Sequence, residues 1–224
     1  MSWQDLIRFG FRLLYYEFAW TYDVVSWVVS LGAWRDWQRA GLPFLHGERI
    51  LEIAHGPGHM LLALSEQGKQ IVGLDLSFYM SRQAQRRLWE RGADVPLLLG
   101  RVQDLPLPAE SFDSVLSTFP TEFIMERETL TAVCRLLKPN GRFVIVPEGH
   151  LTGTSWLHCF IDWLFVITGQ REGLFDAASA AEATSAFWEP WRQHFIAAGF
   201  QTEIHQIRLS GSVATVIVAM KPSS

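Results

Sequence analysis

Cysteine is scarce in this chain. Cys134 and Cys159 are the only two among 224 residues, too few and too isolated for a disulfide framework or a zinc site. A chain of this length buries enough core to need neither. An excess of charge is missing as well: 19 Lys and Arg stand against 23 Asp and Glu, for a net charge of −4. That speaks against a nucleic-acid partner held through phosphate contacts. Long apolar runs are absent too. The most apolar stretch, Trp156 to Thr168, includes His158 and Asp162 and falls short of the roughly 20 residues that cross a bilayer. A secretory leader is not expected, because Asp5, Arg8 and Arg12 interrupt any apolar segment there. The expected compartment is the cytoplasm, with attachment to a membrane surface left open. No repeat or low-complexity tract appears.

Hydrophobic residues make up 49% and charged residues 19%, the balance of a globular chain. Tryptophan is abundant, with ten residues, many of them near the two ends of the chain. Its large apolar area and single N–H suit cores, apolar pockets and membrane interfaces alike.

Residues 3–40 carry apolar side chains at helical spacing, among them Leu13, Tyr16, Trp20, Val24, Trp27 and Leu31. Gly32 and Gly41-Leu42-Pro43 divide this stretch into two or three helices. From residue 49 the rhythm changes. Short apolar runs at 49–54, 70–75, 95–99, 112–117 and 142–146 alternate with helical stretches at 59–67, 78–91 and 122–137. Ser77 is placed to cap the second of these helices and Gly92 to end it. Such alternation predicts an α/β fold with a buried parallel sheet and helices on both faces. After a helix near 187–198, the runs 201–209 and 212–220 flank Ser210-Gly211, which predicts an antiparallel hairpin.

Three motifs carry chemistry. Glu52-Ile53-Ala54-His55-Gly56-Pro57-Gly58 sits where the first strand meets the first helix, where glycine lets backbone approach a ligand. Asp75 ends the second strand, and a carboxylate there can accept from both hydroxyls of a ribose. Asp104 follows the third strand and can accept from an adenine amine, with Val102 and Leu105 covering the ring. A dinucleotide would call for a third glycine, yet that position holds Leu61 and no basic residue adjoins the turn. S-adenosylmethionine lacks a pyrophosphate and has no such requirement. The turn's backbone and Glu52 could accommodate its ammonium and carboxylate.

These motifs in this order resemble the class I S-adenosylmethionine-dependent methyltransferases, especially the menaquinone- and ubiquinone-biosynthesis type. The matching pieces are ILEIAHGPGH, IVGLDLS, GRVQDLPLPAESFDSVLSTF and RLLKPNGRFVIV, over residues 49 to about 148. The resemblance implies a Rossmann-like, seven-stranded, mostly parallel sheet with a reversed terminal strand. It also implies a helical N-terminal lid over 1–45, a cofactor domain over 46–224 and a helical insertion near 150–185. S-adenosyl-L-methionine is the implied cofactor. Its implied contacts are Glu52, Ala54, His55, Gly56, Gly58, Asp75, Leu76, Met80, Gln103, Asp104, Thr118 and Phe119. Thr118, Phe119 and Pro120 would face the reactive methyl. Ala54 stands where the family usually has glycine, and His55 where it usually has a small residue. His55 could bond the cofactor carboxylate or face solvent. Asn140 replaces a common glycine, at little cost, since Asn tolerates left-handed backbone.

Methyl transfer requires alignment and exclusion of water more than a fixed catalytic signature, and no such signature appears. The acceptor-side candidates are Tyr16, Trp20, Tyr22, Phe119, Phe123 and Trp156, with Asp23 beside Tyr22. Glu148, His150 and Tyr22 are the candidate catalytic groups, His150 or Glu148 as a general base. Aromatic and aliphatic weight in these segments points to a small apolar or planar acceptor such as a quinone, phenol or lipid. No metal is called for. The tryptophans leave peripheral membrane contact and a homodimer interface open. Two other readings stand beside the methyltransferase: a nicotinamide-dependent oxidoreductase, and a non-catalytic relative acting through partner contacts.

Overall fold

The structure, a computed structural model, describes residues 32–152 and 191–223. Its sheet has seven strands: β1 (Arg49–Ile53), β2 (Gln70–Asp75), β3 (Leu97–Leu99), β4 (Phe112–Thr118), β5 (Leu137–Leu151), β6 (Gln201–Leu209) and β7 (Ser212–Met220). They lie in the order β3-β2-β1-β4-β5-β7-β6. The first five pair in parallel, and β7 runs antiparallel to both β5 and β6. The expected mostly parallel sheet with a reversed last strand is therefore observed. Inner strands read as nearly unbroken apolar runs because helices cover both their faces.

One face is covered by α1 (Trp34–Arg39), α2 (His59–Glu66) and α3 (Phe78–Glu90), through Trp37, Leu61, Leu64, Ala84 and Leu88. The other is covered by α4 (Arg127–Leu136) and a helical segment, α5, at 191–197, through Leu130, Val133, Leu136 and Phe195. Ser77 caps α3 as its sequence predicts, its Oγ accepting from the Met80 N–H at 3.3 Å. The described end of the expected lid is built into this core: Trp37 and Ala40 are buried against Val144 and Val146.

Three elements differ from expectation. The helix expected over 122–137 is broken at Glu126, whose ψ of 137° separates a 3₁₀ turn, Glu122–Met125, from α4. The break lets Ile124 and Met125 both turn into the core. The fifth strand is much longer than 142–146. β7 supplies it with partners as far as Leu151↔Ser212, beyond the last β4 pairing at Thr118↔Val146. Its first residues cross the Lys138–Gly141 turn, where Asn140 takes the left-handed conformation its side chain tolerates (φ 60°). The third strand shrinks to Leu97–Leu99.

Candidate active site

The strand order reverses beside β1, so a crevice opens where β1 and β4 diverge, past their carboxyl ends. The Ala54–Gly58 turn forms one wall. Ala54, Gly56 and Gly58 all have positive φ, at 54°, 53° and 81°. For Ala54 this backbone costs on the order of 1 kcal/mol. A Cβ on Gly56 would meet nothing within 4 Å, so that glycine serves close approach from outside. A Cβ on Gly58 would lie 2.7 Å from the Ala84 Cβ, so this one lets α3 pack against the turn. The large Leu61 is accommodated across the sheet, since a Cβ on Gly73 would fall 2.8 Å from its Cδ1. The small residue a dinucleotide turn keeps on the helix stands here on the strand.

Asp75 ties this wall together. Its Oδ2 accepts from the Gly56 N–H and its Oδ1 from the Ser77 N–H, both at 2.8 Å. Each oxygen keeps a second lone pair for a ligand. Burial raises the Asp75 pKa, opposed by the His55 charge and by N–H donors of Ser77, Gly56 and Leu76. Arg87 of α3 donates to the Pro57 carbonyl and pins the far side of the turn.

Glu52 is fully buried, and neither carboxylate oxygen completes a hydrogen bond. Burial and then the Asp75 charge hold its carboxyl well above the usual range, against a smaller pull from the Leu61 N–H. A buried acceptor pair without donors is costly, and a cationic ligand with N–H donors would relieve it. That unmet demand, with the open Gly56 and the spare lone pairs of Asp75, fits a ligand bearing an ammonium and a ribose.

Two expected cofactor contacts take other roles. His55 neither faces solvent nor points out toward a ligand. It is buried under the turn against Gly73, its Nδ1 is 2.7 Å from the Gly56 carbonyl, and its Nε2 completes no hydrogen bond. The reason is space, because Gly73 leaves a cavity that an imidazole fills. Burial lowers its pKa, with Asp75 opposing. Met80 is fully buried; capped at the third position of α3, it faces the core. Leu76, by contrast, lies open beside Asp75. Gln103 and Asp104 share a 3₁₀ turn, Val102–Asp104, after β3. Gln103 donates to Thr129 Oγ1 at 2.7 Å, which fixes the turn over α4 and leaves Asp104 exposed.

The other wall is aromatic. β4 ends at Thr118, and Phe119 adopts a left-handed backbone (φ 50°). Its ring stacks on Trp34, with centroids 3.9 Å apart and planes at 19°; Trp37 stands 6.2 Å away. Beneath them Gln38 Nε2 donates to Thr118 Oγ1 at 3.1 Å. Trp34 and Gln38 are absent from the sequence-derived site. Their signal is the Trp34-x-x-Trp37-Gln38 spacing, which places a polar amide among apolar side chains of one short helix. Phe123 is separated from Phe119: it packs with the cluster on the opposite face of the sheet.

Glu148 and His150 do come together. They alternate on the stretch of β5 paired with β7 alone, and His150 Nε2 lies 3.3 Å from Glu148 Oε1. Thr215 Oγ1 donates to the same carboxylate oxygen at 3.2 Å. Gly149 between them faces the other way, and a Cβ there would lie 2.2 Å from the Trp37 ring. Tyr16, Trp20, Tyr22, Asp23, Trp156 and His158 lie outside the described residues, as does most of the lid and of the 150–185 insertion. Among the described residues no helix is long and apolar enough to cross a membrane.

Residues 51–145 match the family described as "Methyltransferase domain". The chain is 32% identical to a demethylmenaquinone methyltransferase of Thermus thermophilus, over 93% of this chain and 100% of that protein. It is 28% identical to a protein of the same name from Symbiobacterium thermophilum, over 91% of this chain and 89% of that one. Among solved structures it shares the fold of a SAM-dependent methyltransferase from Methanosarcina mazei, with TM-score 0.54 and 18% identity over 82% and 97% of the two chains.

Proposed function

Because this chain belongs to the class I S-adenosylmethionine-dependent methyltransferases, we propose that it methylates a small, planar, apolar acceptor of the quinol or phenol type. S-adenosyl-L-methionine is its cofactor and, when bound, supplies an electrophilic methyl on a sulfonium sulfur. The observation that carries the acceptor reading is the Trp34–Phe119 stack at the end of β4. A strained backbone at Phe119 presents an aromatic face at the crevice, and stacking on such a face selects flat apolar molecules. The demethylmenaquinone methyltransferase names of the relatives support the same class.

In this reading the two walls divide the work. Glu52 and the Ala54–Gly58 backbone receive the methionine end, Asp75 the ribose, and Leu76, Gln103 and Asp104 the adenine. Thr118 and Phe119 meet the methyl-bearing side. Tyr16, Trp20, Tyr22 and Trp156 complete the acceptor wall from the N-terminal lid, residues 1–45, and from the 150–185 insertion. His150, oriented by Glu148, accepts a proton from the acceptor hydroxyl as it becomes nucleophilic.

The test is methyl transfer from labelled S-adenosylmethionine to short-chain demethylmenaquinols, simple phenols and a polar amine, beside titration with S-adenosylhomocysteine. Label in the quinols or phenols, lost in His150→Ala, supports the reading. Micromolar S-adenosylhomocysteine binding with label only in the amine would overturn the acceptor class.

A further inference from the structure

Helix α3 has an unusual outer face. Met80, Ala84 and Leu88 turn inward, and Phe78, Arg82, Gln85, Arg86 and Trp89 line the solvent side at helical spacing. A solvent face is ordinarily polar throughout. Here Phe78 is 58% exposed, Tyr79 52% and Trp89 80%. With Leu76 and Leu99 at the adjacent strand ends, they make five of the six large apolar side chains exposed among the described residues. The aromatics lie at the two ends of the helix, about 16 Å apart at ~1.5 Å per residue. Arginines stand between them: Arg82 lies 6.0 Å from the Phe78 ring centroid, and Arg86 pairs with Glu90 at 2.8 Å. Arg87 points inward to the turn, and Arg91 reaches Glu66 at 3.7 Å. Over Phe78–Glu90 three arginines face one glutamate, in a chain whose net charge is −4.

We propose that the outer face of α3 docks on an anionic bilayer surface, with Phe78, Tyr79 and Trp89 inserted at headgroup level and Arg82 and Arg86 paired with lipid phosphates. Amphipathic aromatics and long cationic side chains divide in this way at an interface. At 13 residues the helix lies on the surface and does not span it. A second copy of the chain is the poorer occupant. A two-fold contact through this face would bring Arg82 and Arg86 close to the same residues of the partner, and like charges there repel. The N-terminus of α3 follows Asp75 directly, so docking sets the crevice beside the bilayer.

The experiment is co-sedimentation of the full chain with vesicles of phosphatidylcholine plus phosphatidylglycerol, and with phosphatidylcholine alone. Wild type is expected to partition onto the anionic vesicles and to be released by salt. Arg82→Glu with Arg86→Glu is expected to lower that partitioning by about tenfold or more, and Trp89→Ala by several-fold. These positions point to solvent, so S-adenosylhomocysteine affinity and turnover of a short-chain acceptor should match wild type in each variant. That control separates a failure here from a failure of the methyltransfer reading. The proposal is overturned if wild type does not sediment with the anionic vesicles, or binds phosphatidylcholine equally. It is overturned too if the variants sediment as wild type does, or if Trp89→Ala instead abolishes a concentration-dependent dimer.

Discussion

At the Ala54–Gly58 turn the crevice is lined by backbone N–H groups, two buried carboxylates and glycines in left-handed conformations, all within one stretch of β1–α2–β2. At Phe119 it is lined by the aromatic side chains of α1 and of Phe119 just past β4, with Gly149 of β5 beneath them. The first wall is local and polar, and it fits a ligand bearing an ammonium and a ribose. The second is assembled from distant segments and is apolar; Gln38 and Thr118 meet across 80 residues. On the function proposed above, the difference teaches that cofactor recognition resides in a peptide motif, and acceptor recognition in tertiary packing.

The strongest way to break the first wall is Asp75→Ala. It strips acceptors from the Gly56 and Ser77 N–H groups as well as from the ribose. Titration calorimetry is expected to show S-adenosylhomocysteine affinity falling by about 100-fold. A loss under threefold would remove Asp75 from the cofactor site. The corresponding blow to the second wall is Gly149→Ala, whose new methyl overlaps the Trp37 ring. Overpacking of this kind costs about 1–3 kcal/mol, or a Tm roughly 3–10 °C lower by calorimetry, with cofactor affinity in the surviving folded protein close to normal.

Glu52→Gln sharpens the comparison because its two effects have opposite signs. The Glu52 carboxyl titrates higher in the folded chain than in the unfolded one. Its contribution to stability is therefore present below the ordinary glutamate range and lost as pH rises through the raised folded value. The variant should have a higher unliganded Tm than wild type near neutral pH, by about 2–4 °C, and a flatter Tm–pH curve. Asp75, also raised, leaves part of the slope in place. Affinity for S-adenosylmethionine should fall by about tenfold. A variant that binds normally would leave the buried carboxylate without a ligand role.

Trp34→Ala removes the stacking partner of Phe119. Steady-state kinetics should show kcat/KM for a quinol acceptor down by about tenfold, with the KM for S-adenosylmethionine within twofold. Equal losses for both substrates would merge the two walls into one site. The smallest effect is expected for Ala54→Gly, which relieves a left-handed alanine but loosens the unfolded chain. These nearly cancel, so Tm should move by less than about 2 °C. A large rise would mean that the turn stores more strain than its backbone angle implies.

The unequal construction of the walls also explains what could be read from residues alone. Glu52, the three positions of the turn, Asp75 and the parallel strands follow from short patterns with a local cause. His55 could not be placed that way, because its burial depends on the vacancy left by Gly73, 18 residues further along and on another strand. Met80 is among the contacts the resemblance implies, whereas the Ser77 cap sets the phase of α3 and turns it inward. Phe119 and Phe123 are four residues apart and both stand among the acceptor-side candidates. The left-handed backbone of Phe119 just past β4 and the 3₁₀ turn Glu122–Met125 that holds Phe123 put them on opposite faces of the sheet. Trp34 and Gln38 offer only their spacing on one short helix as a signal, because the partners that place them at the site, Phe119 and Thr118, come from the end of β4, far along the chain.

One feature of the topology has a consequence for synthesis. β7 lies between β5 and β6 although it follows both in the chain. While the polypeptide emerges from the ribosome, β5 must wait with an open, strongly apolar edge until Ser212–Met220 has been made. β1 to β5 can pair during translation, but β6 has β7 as its sheet partner and the edge of β5 stays open until that segment arrives. Until then the nascent chain exposes the kind of strand edge that recruits other strands, so cells making this protein depend on that segment following promptly or on a chaperone shielding β5.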